Sequence, residues 1–148
     1  SNEENIKRLF KMVEQKLAEN IRILNGENYI DYQKRNPDAY LPHITLVIEN
    51  VTAFLAEDRY SIYHDKLTRL VRDGVSKGVS VLLTATDITG KLNRMMVYFA
   101  RKYALEMQKD KYIEIFGIKV DEPMKIPGRG VTVVDSLPCE FQAFLRRI

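Results

Sequence analysis

Cysteine is nearly absent from this chain: Cys139 is the only one among 148 residues. A lone thiol forms no internal disulfide, which fits a reducing compartment, and it is read as a small packing residue rather than a nucleophile. Histidine is almost as scarce. His43 and His64 have no Cys or His at metal-ligand spacing, so both are read as structural or surface residues and no metal site is expected. No run of 18 apolar residues occurs, which excludes a membrane-spanning helix. Ser1-Asn2-Glu3-Glu4 lacks the basic-then-apolar pattern of a secretory signal. Excess charge of one sign is also missing. The formal charge is +3, with basic residues scattered and densest at Arg101-Lys102 and Arg146-Arg147. That is no footprint of an independent nucleic-acid binder, although it leaves room for DNA contact by a larger assembly. There is no internal repeat, no low-complexity tract and no defensible Ser-His-Asp or Cys-His arrangement.

One further absence is the most informative. A phosphate-cradling loop needs G-x-x-x-x-G-K-[ST], so that backbone N–H groups surround the phosphates and the Lys neutralises their charge. The best fragment here is Gly90-Lys91, and Leu92 follows it where Ser or Thr is required. The chain by itself is therefore not expected to bind ATP in the usual manner.

What is present suits a globular domain with one core: 45% hydrophobic and 29% charged residues in a length typical of one domain. Ser1-Asn2, without an initiator Met, looks like an expression scar or a processed end, so the natural protein is expected to begin upstream.

Ile6, Leu9, Phe10, Val13, Leu17, Ile21 and Leu24 recur at spacings of three and four, which predicts an amphipathic helix over residues 3–24, stopped by Asn25-Gly26. A short helix over 28–35 is expected to end at Asn36-Pro37, because the residue before proline avoids helix. Pro42 then introduces Ile44-Thr45-Leu46-Val47-Ile48, a continuous apolar run that predicts a strand over 43–49 covered on both faces. A helix over 59–77, with Ile62, Tyr63, Leu67, Leu70 and Val71 inward, leads through Gly78 to a second buried strand over 79–85. Residues 88–99 read as a helix. In 101–107, Tyr103, Leu105 and Met107 alternate with Lys102, Ala104 and Glu106, the period of a strand. A helical turn over 109–116, a loop over 118–130 and two closing strands, 131–135 and 140–145, complete the chain. A connection at Ser136-Leu137-Pro138 makes the last two a hairpin. Alternating helices and strands imply an α/β class with a mainly parallel sheet flanked by helices and a C-terminal antiparallel hairpin.

Chemistry is expected at the carboxyl ends of the two parallel strands, where open α/β sheets bind ligands. The first ends in Glu49-Asn50, and the second delivers Thr84, Ala85, Thr86 and Asp87 to the same edge. A γ-phosphate site needs two such polar tips, one for metal and water and one to sense the phosphate. On spacing alone the plainer view carries more weight, since any parallel strand ends in polar loop residues. Gly128-Arg129-Gly130 could form a small anion nest, but a tight turn into the following strand explains it better.

The order of elements resembles the ATP-driven translocases of the FtsK/SpoIIIE type, most closely the ATPase modules of the EssC/EccC proteins of type VII secretion. The resemblance runs from about Ile6 to Leu145 and rests on several short motifs in sequence. Leu9-Phe10 and its charged helix come first, then Leu41-Pro42-His43-Ile44 through Asn50 as the Walker B strand. Gly78 to Thr86 matches the sensor strand. Tyr112-Ile113-Glu114-Ile115-Phe116-Gly117 with Pro127-Gly128-Arg129-Gly130 is the most distinctive part, and Glu140-Phe141-Gln142 matches the closing strand. The resemblance implies a partial RecA-like P-loop NTPase fold, with residues 1–148 as one domain missing its N-terminal Walker A strand, loop and helix. It aligns Glu49 with the family's metal-linked Asp, Asn50 with its catalytic Glu and Thr86 with its polar sensor, and it leaves Arg129 as a loop or interface residue. Asn50 cannot take a proton from water, and Glu49 is a methylene longer than Asp. ATP and Mg are implied for an intact module and neither for this chain, which is expected to be inactive alone. The implied partners are neighbouring ATPase modules of the same polypeptide, a hexameric homo-oligomer and a secreted protein substrate. The location implied is the cytoplasmic face of a bacterial membrane, with no direct membrane contact by this segment. A DNA translocase of segregation or conjugation is the rival within the same type, and a ligand-free structural fragment is the remaining alternative.

Overall fold

The computed structural model describes residues 2–144, so Leu145 of the last expected strand and the Arg146-Arg147 pair lie outside the described residues. The chain divides after Tyr98 into two compact units.

The first unit opens with helix α1 (Asn2–Leu24), which buries Phe10, Val13, Leu17, Asn20 and Leu24. Asn25 and Gly26, both with positive φ, end it as expected. The apolar stripe is narrower than the sequence suggested: Leu9 and Ile21 stay substantially exposed, and Asn20 takes an inward place. Burying that amide is tolerated because its Nδ2 donates to the Lys77 carbonyl at 2.8 Å. Helix α2 (Tyr29–Arg35) is N-capped by Asn28 and ends at Asn36, ahead of Pro37. Its Tyr29 donates a hydrogen bond to the Leu41 carbonyl at 2.8 Å, pinning the approach to β1 (Ile44–Ile48).

Helix α3 (Val51–Ala56) follows β1 directly. The helix expected over 59–77 is three pieces: a 3₁₀ segment Asp58–Tyr63, helix α4 (His64–Asp73) and a 3₁₀ turn Val75–Lys77. With three residues per turn, the first piece shifts the phase, so Tyr60 and Tyr63 point inward while Ile62 is 65% exposed. Phe10 of α1 stacks on Tyr63 with ring centroids 4.8 Å apart. Strand β2 (Val79–Leu83) begins after Gly78, where a Cβ would run into the Tyr29 ring and where φ is +76°. Only glycine fits that crossing without strain. Helix α5 (Gly90–Met96), N-capped by Thr89, buries Leu92 and Met95.

Strands β1 and β2 pair in parallel, from Ile44 opposite Val79 to Ile48 opposite Leu83. Their cover is one-sided, contrary to the two-sided burial that the apolar runs suggested. Leu46 and Val79 are buried, whereas the opposed pair Val47 and Leu82 is 58% and 55% exposed.

The second unit is a three-stranded antiparallel sheet in the order β3 (Tyr103–Ala104), β4 (Arg129–Val134), β5 (Leu137–Gln142), with helix α6 (Lys109–Phe116) before β4. Its core joins Ala104, Tyr112, Val120 and Val131. The α/β class, the parallel strands and the closing hairpin are as the sequence implied; the antiparallel part gains the short β3. Within β3 the buried residue is Ala104, opposite Val131, while Tyr103 is exposed. Gly130 of β4 closes on the Ala104 carbonyl and the Phe141 ring, which leaves no room for a Cβ at position 130. The hairpin turns at Asp135-Ser136, both with positive φ, rather than at Ser136-Leu137-Pro138. Pro138 lies within β5, an edge strand, where a missing N–H is tolerated.

Candidate functional site

Parallel pairing in register brings the carboxyl ends of β1 and β2 side by side, and with them Glu49, Asn50 and Thr86. The Thr84 amide donates to the Ile48 carbonyl at 3.1 Å, and the Val51 amide to the Thr84 carbonyl at 2.8 Å, so the pairing continues past both strands. Between them the chain turns sharply. Asn50 adopts the left-handed conformation, φ 52° and ψ 61°, a region Asn enters more readily than most residues. Its amide donates to the Thr84 hydroxyl at 2.9 Å. Its carboxamide oxygen accepts the Ala53 amide at 3.3 Å as the N-cap of α3, and the Thr86 hydroxyl at 3.4 Å. Glu49 is exposed beside it.

Thr52, on the first turn of α3, completes the arrangement. Its hydroxyl donates to the Asp87 carbonyl at 3.0 Å and accepts the amides of Thr86 at 3.2 Å and Asp87 at 3.4 Å. This residue was not singled out from the sequence. The available signal was an Asn-x-Thr sequence directly after a strand, where a cap and a second hydroxyl fall at one helix N-terminus. Asp87 accepts the Ile88 amide through Oδ1 at 2.7 Å, and the Thr89 hydroxyl caps α5 through the Leu92 amide at 3.3 Å.

Around the start of α5 a shallow hollow of about 330 Å³ is lined by Leu55, Ala56, Thr89, Gly90, Lys91 and Arg94. Lys91 Nζ donates to the Leu55 carbonyl at 2.9 Å. Burial, and then the Lys91 ammonium, hold the His64 pKa below its usual value, with Asp65 opposing. His64 Nε2 is buried without a hydrogen-bond partner, and its ring meets Phe54 edge-on at 6.4 Å. His43 is structural in the sense expected: its Nε2 is 3.0 Å from the Ser80 hydroxyl across the two strands.

Arg129 belongs to the second unit. It begins β4 after Gly128, whose φ is +79°, and the Arg129 amide donates to the Ile126 carbonyl at 2.9 Å, closing a turn. Arg129 Nε lies 3.8 Å from Glu140 Oε2, an ion-pair distance too long for a hydrogen bond. Among the described residues, no three His, Cys, Asp or Glu side chains cluster as metal ligands, and no helix is long and apolar enough to cross a membrane.

No protein-family model matches the chain, and no curated protein matches its sequence. Solved structures do match its fold, among them ATPases of type VII secretion and a conjugation coupling protein. The chain shares the fold of these proteins over nearly its whole length. One such structure is EssC (ATPases 2 and 3) from Geobacillus thermodenitrificans, 18% identical, with a TM-score of 0.77 over 95% of this chain and 27% of that one. Another is the cytoplasmic domain of the type VII secretion ATPase EccC of Thermomonospora curvata, 16% identical, with a TM-score of 0.73 over 93% of this chain and 17% of that one. A third is the pCW3 conjugation coupling protein TcpA, in a monomer form with ATPγS, 14% identical, with a TM-score of 0.79 over 96% of this chain and 44% of that one. This chain spans less than half the length of each. At these identities the likeness is one of fold.

Proposed function

We propose that this chain is the C-terminal part of a RecA-like module in a membrane-anchored, ATP-driven type VII secretion motor, working as a degenerate module that docks neighbouring ATPase modules or secreted substrate. The observation that carries the reading is the chemistry at the end of β1. In an active module an acid there orients the attacking water. Asn50 offers a carboxamide that takes up no proton, and its oxygen already accepts the Ala53 amide and the Thr86 hydroxyl. The 148 residues also contain no phosphate-cradling loop. A single exposed Glu49 and an engaged Asn50 do not fit Mg-ATP, so no hydrolytic step is assigned to them. The fold likeness to EccC and to EssC supports the secretion setting, and the location proposed is the cytoplasmic face of a bacterial membrane. The anchor and the hexameric assembly belong to the larger protein proposed here.

The test is nucleotide binding and turnover by a version of the protein extended upstream through a G-x-x-x-x-G-K-[ST] loop. Weak or absent turnover, unaffected by Asn50→Ala, is expected. Turnover on the millisecond scale that depends on Asn50 overturns the degenerate reading.

The likeness to the conjugation coupling protein favours a second reading, a module of a DNA translocase. Such a protein binds DNA with steep salt dependence through basic residues lining its path. The scattered charge of this chain, +3 in all, supports that reading less well. Salt-sensitive DNA binding by the full-length protein would select it.

A further inference from the structure

We infer that Thr52 and Asn50 latch the loop after β2 onto α3, making the two strand tips one rigid joint that does not respond to a phosphate. The inference rests on the degenerate-module reading and supplies its physical mechanism. A phosphate sensor must exchange partners when its ligand arrives, which requires an element with two arrangements of similar free energy.

Loop 84–87 is instead held from several directions. The Thr84 amide is on the Ile48 carbonyl and the Thr84 carbonyl on the Val51 amide, while the Thr84 hydroxyl accepts from the Asn50 amide. The Thr86 and Asp87 amides both converge on Thr52 Oγ1, which donates in turn to the Asp87 carbonyl. A hydroxyl has one proton to give and two lone pairs to accept with, and Thr52 uses all three. Thr86, the side chain aligned with a sensor, gives its own proton to Asn50. The latch continues outward. The Thr89 hydroxyl caps α5, and Lys91 ties α5 to the Leu55 carbonyl near the far end of α3, so α3, the loop and α5 are fastened to one another. An Asn at position 50 thus does more than lack a carboxylate: it occupies the group that a responsive tip would keep free.

Backbone amide hydrogen exchange, resolved by NMR on the 148-residue chain, tests this. In the unaltered chain the Thr86 and Asp87 amides are expected to be protected as strongly as those of β2. Thr52→Val removes the hydroxyl at similar volume. It is expected to speed exchange at Thr86 and Asp87 by about tenfold, the worth of one to two lost hydrogen bonds. Thr84, held by the Ile48 carbonyl, is expected to keep its rate, and Thr52→Ser to behave like the original. Rapid exchange at 86 and 87 in the unaltered chain overturns the latch, whatever the variants do. So does a Thr52→Val variant whose two amides exchange at the original rate. Turnover by the upstream-extended protein bears on the other reading and leaves these rates untouched, so the two failures are separable.

Discussion

Asn50 combines a left-handed backbone with the capping of α3, and each demand restricts the side chain independently. Replacing it with Ala removes the cap, about 1 kcal/mol, and forces a Cβ-bearing residue without a compensating side chain into a conformation costing about 1–2 kcal/mol. Asn50→Ala is therefore expected to lower stability by about 2 kcal/mol in urea denaturation. Asn50→Gly, which tolerates positive φ and is a fair cap, is expected to cost only a few tenths. A glycine variant as unstable as the alanine variant would refute the backbone part of the argument. His64 makes a prediction of the same scale about pH. Burial and Lys91 depress its folded pKa, so the unfolded chain takes up the proton first as the pH falls. Its contribution to stability is complete above its ordinary value of 6.5 and is lost as the pH falls from there through the lowered folded value. Urea denaturation at pH 7.5 and 5.5 is expected to show a loss in the original protein that His64→Gln largely removes. Residues of this kind differ in how far the sequence exposes them. That Glu49, Asn50 and Thr86 fall together at two strand ends was legible, because the parallel pairing fixes their positions. Thr52 was not, since its role depends on a loop that returns 34 residues later.

Elements were legible where a period ran long enough to overwhelm local exceptions. The stripe of α1 and the Asn-Pro stop of α2 are such cases. Helix α3 went unseen because six residues make fewer than two turns, and its apolar Val51 and Leu55 sit next to the apolar run of β1. The strand expected over 101–107 is only Tyr103–Ala104, and of its two residues the smaller is the buried one. Ala104 joins the core with Tyr112, Val120 and Val131, while the exposed Tyr103 meets the Phe141 ring edge-on at 5.5 Å. The closing hairpin shows a third kind of error. Pro138 was taken as a turn residue, whereas the turn is the two-residue Asp135-Ser136, with φ of 50° and 65°. Two successive positive φ values define the type I′ turn, for which Asn-Gly is the preferred pair. Asp135→Asn with Ser136→Gly is therefore expected to stabilise the hairpin by about 0.5–1 kcal/mol, the usual gain from relieving such positions. A rise in urea midpoint at unchanged slope checks it; an unchanged midpoint would mean that the turn is not limiting.

At the scale of the whole molecule, the unresolved question in the sequence was what covers the β1–β2 pair. Apolar runs on both strands suggested two covered faces, yet Leu46 and Val79 are buried while Val47 and Leu82 stand in the open. Among the described residues each strand is also an edge of a two-stranded sheet. A sequence written for burial on both sides, in a fold where one side is bare, marks a surface that draws apolar partners. Two copies meeting through this face would remove the remaining exposed area of Val47 and Leu82 on both, about 3–7 kcal/mol at full side-chain values of about 1.5–3 kcal/mol each. That is comparable with the lower end of the 4–15 kcal/mol cost of association, so the balance predicts weak, concentration-dependent self-association rather than a stable dimer. Light scattering and sedimentation over a wide concentration range are expected to show mass rising with concentration. The double substitution Val47→Lys with Leu82→Lys is expected to hold the protein monomeric, since it replaces both apolar contacts with like charges that repel across the paired faces. Both side chains already face water, so the fold should tolerate the change, and circular dichroism distinguishes a lost interface from a lost structure. An original protein that stays monomeric throughout would mean that the open face is too small to associate, and that the apolar character of Val47 and Leu82 reflects strand propensity alone.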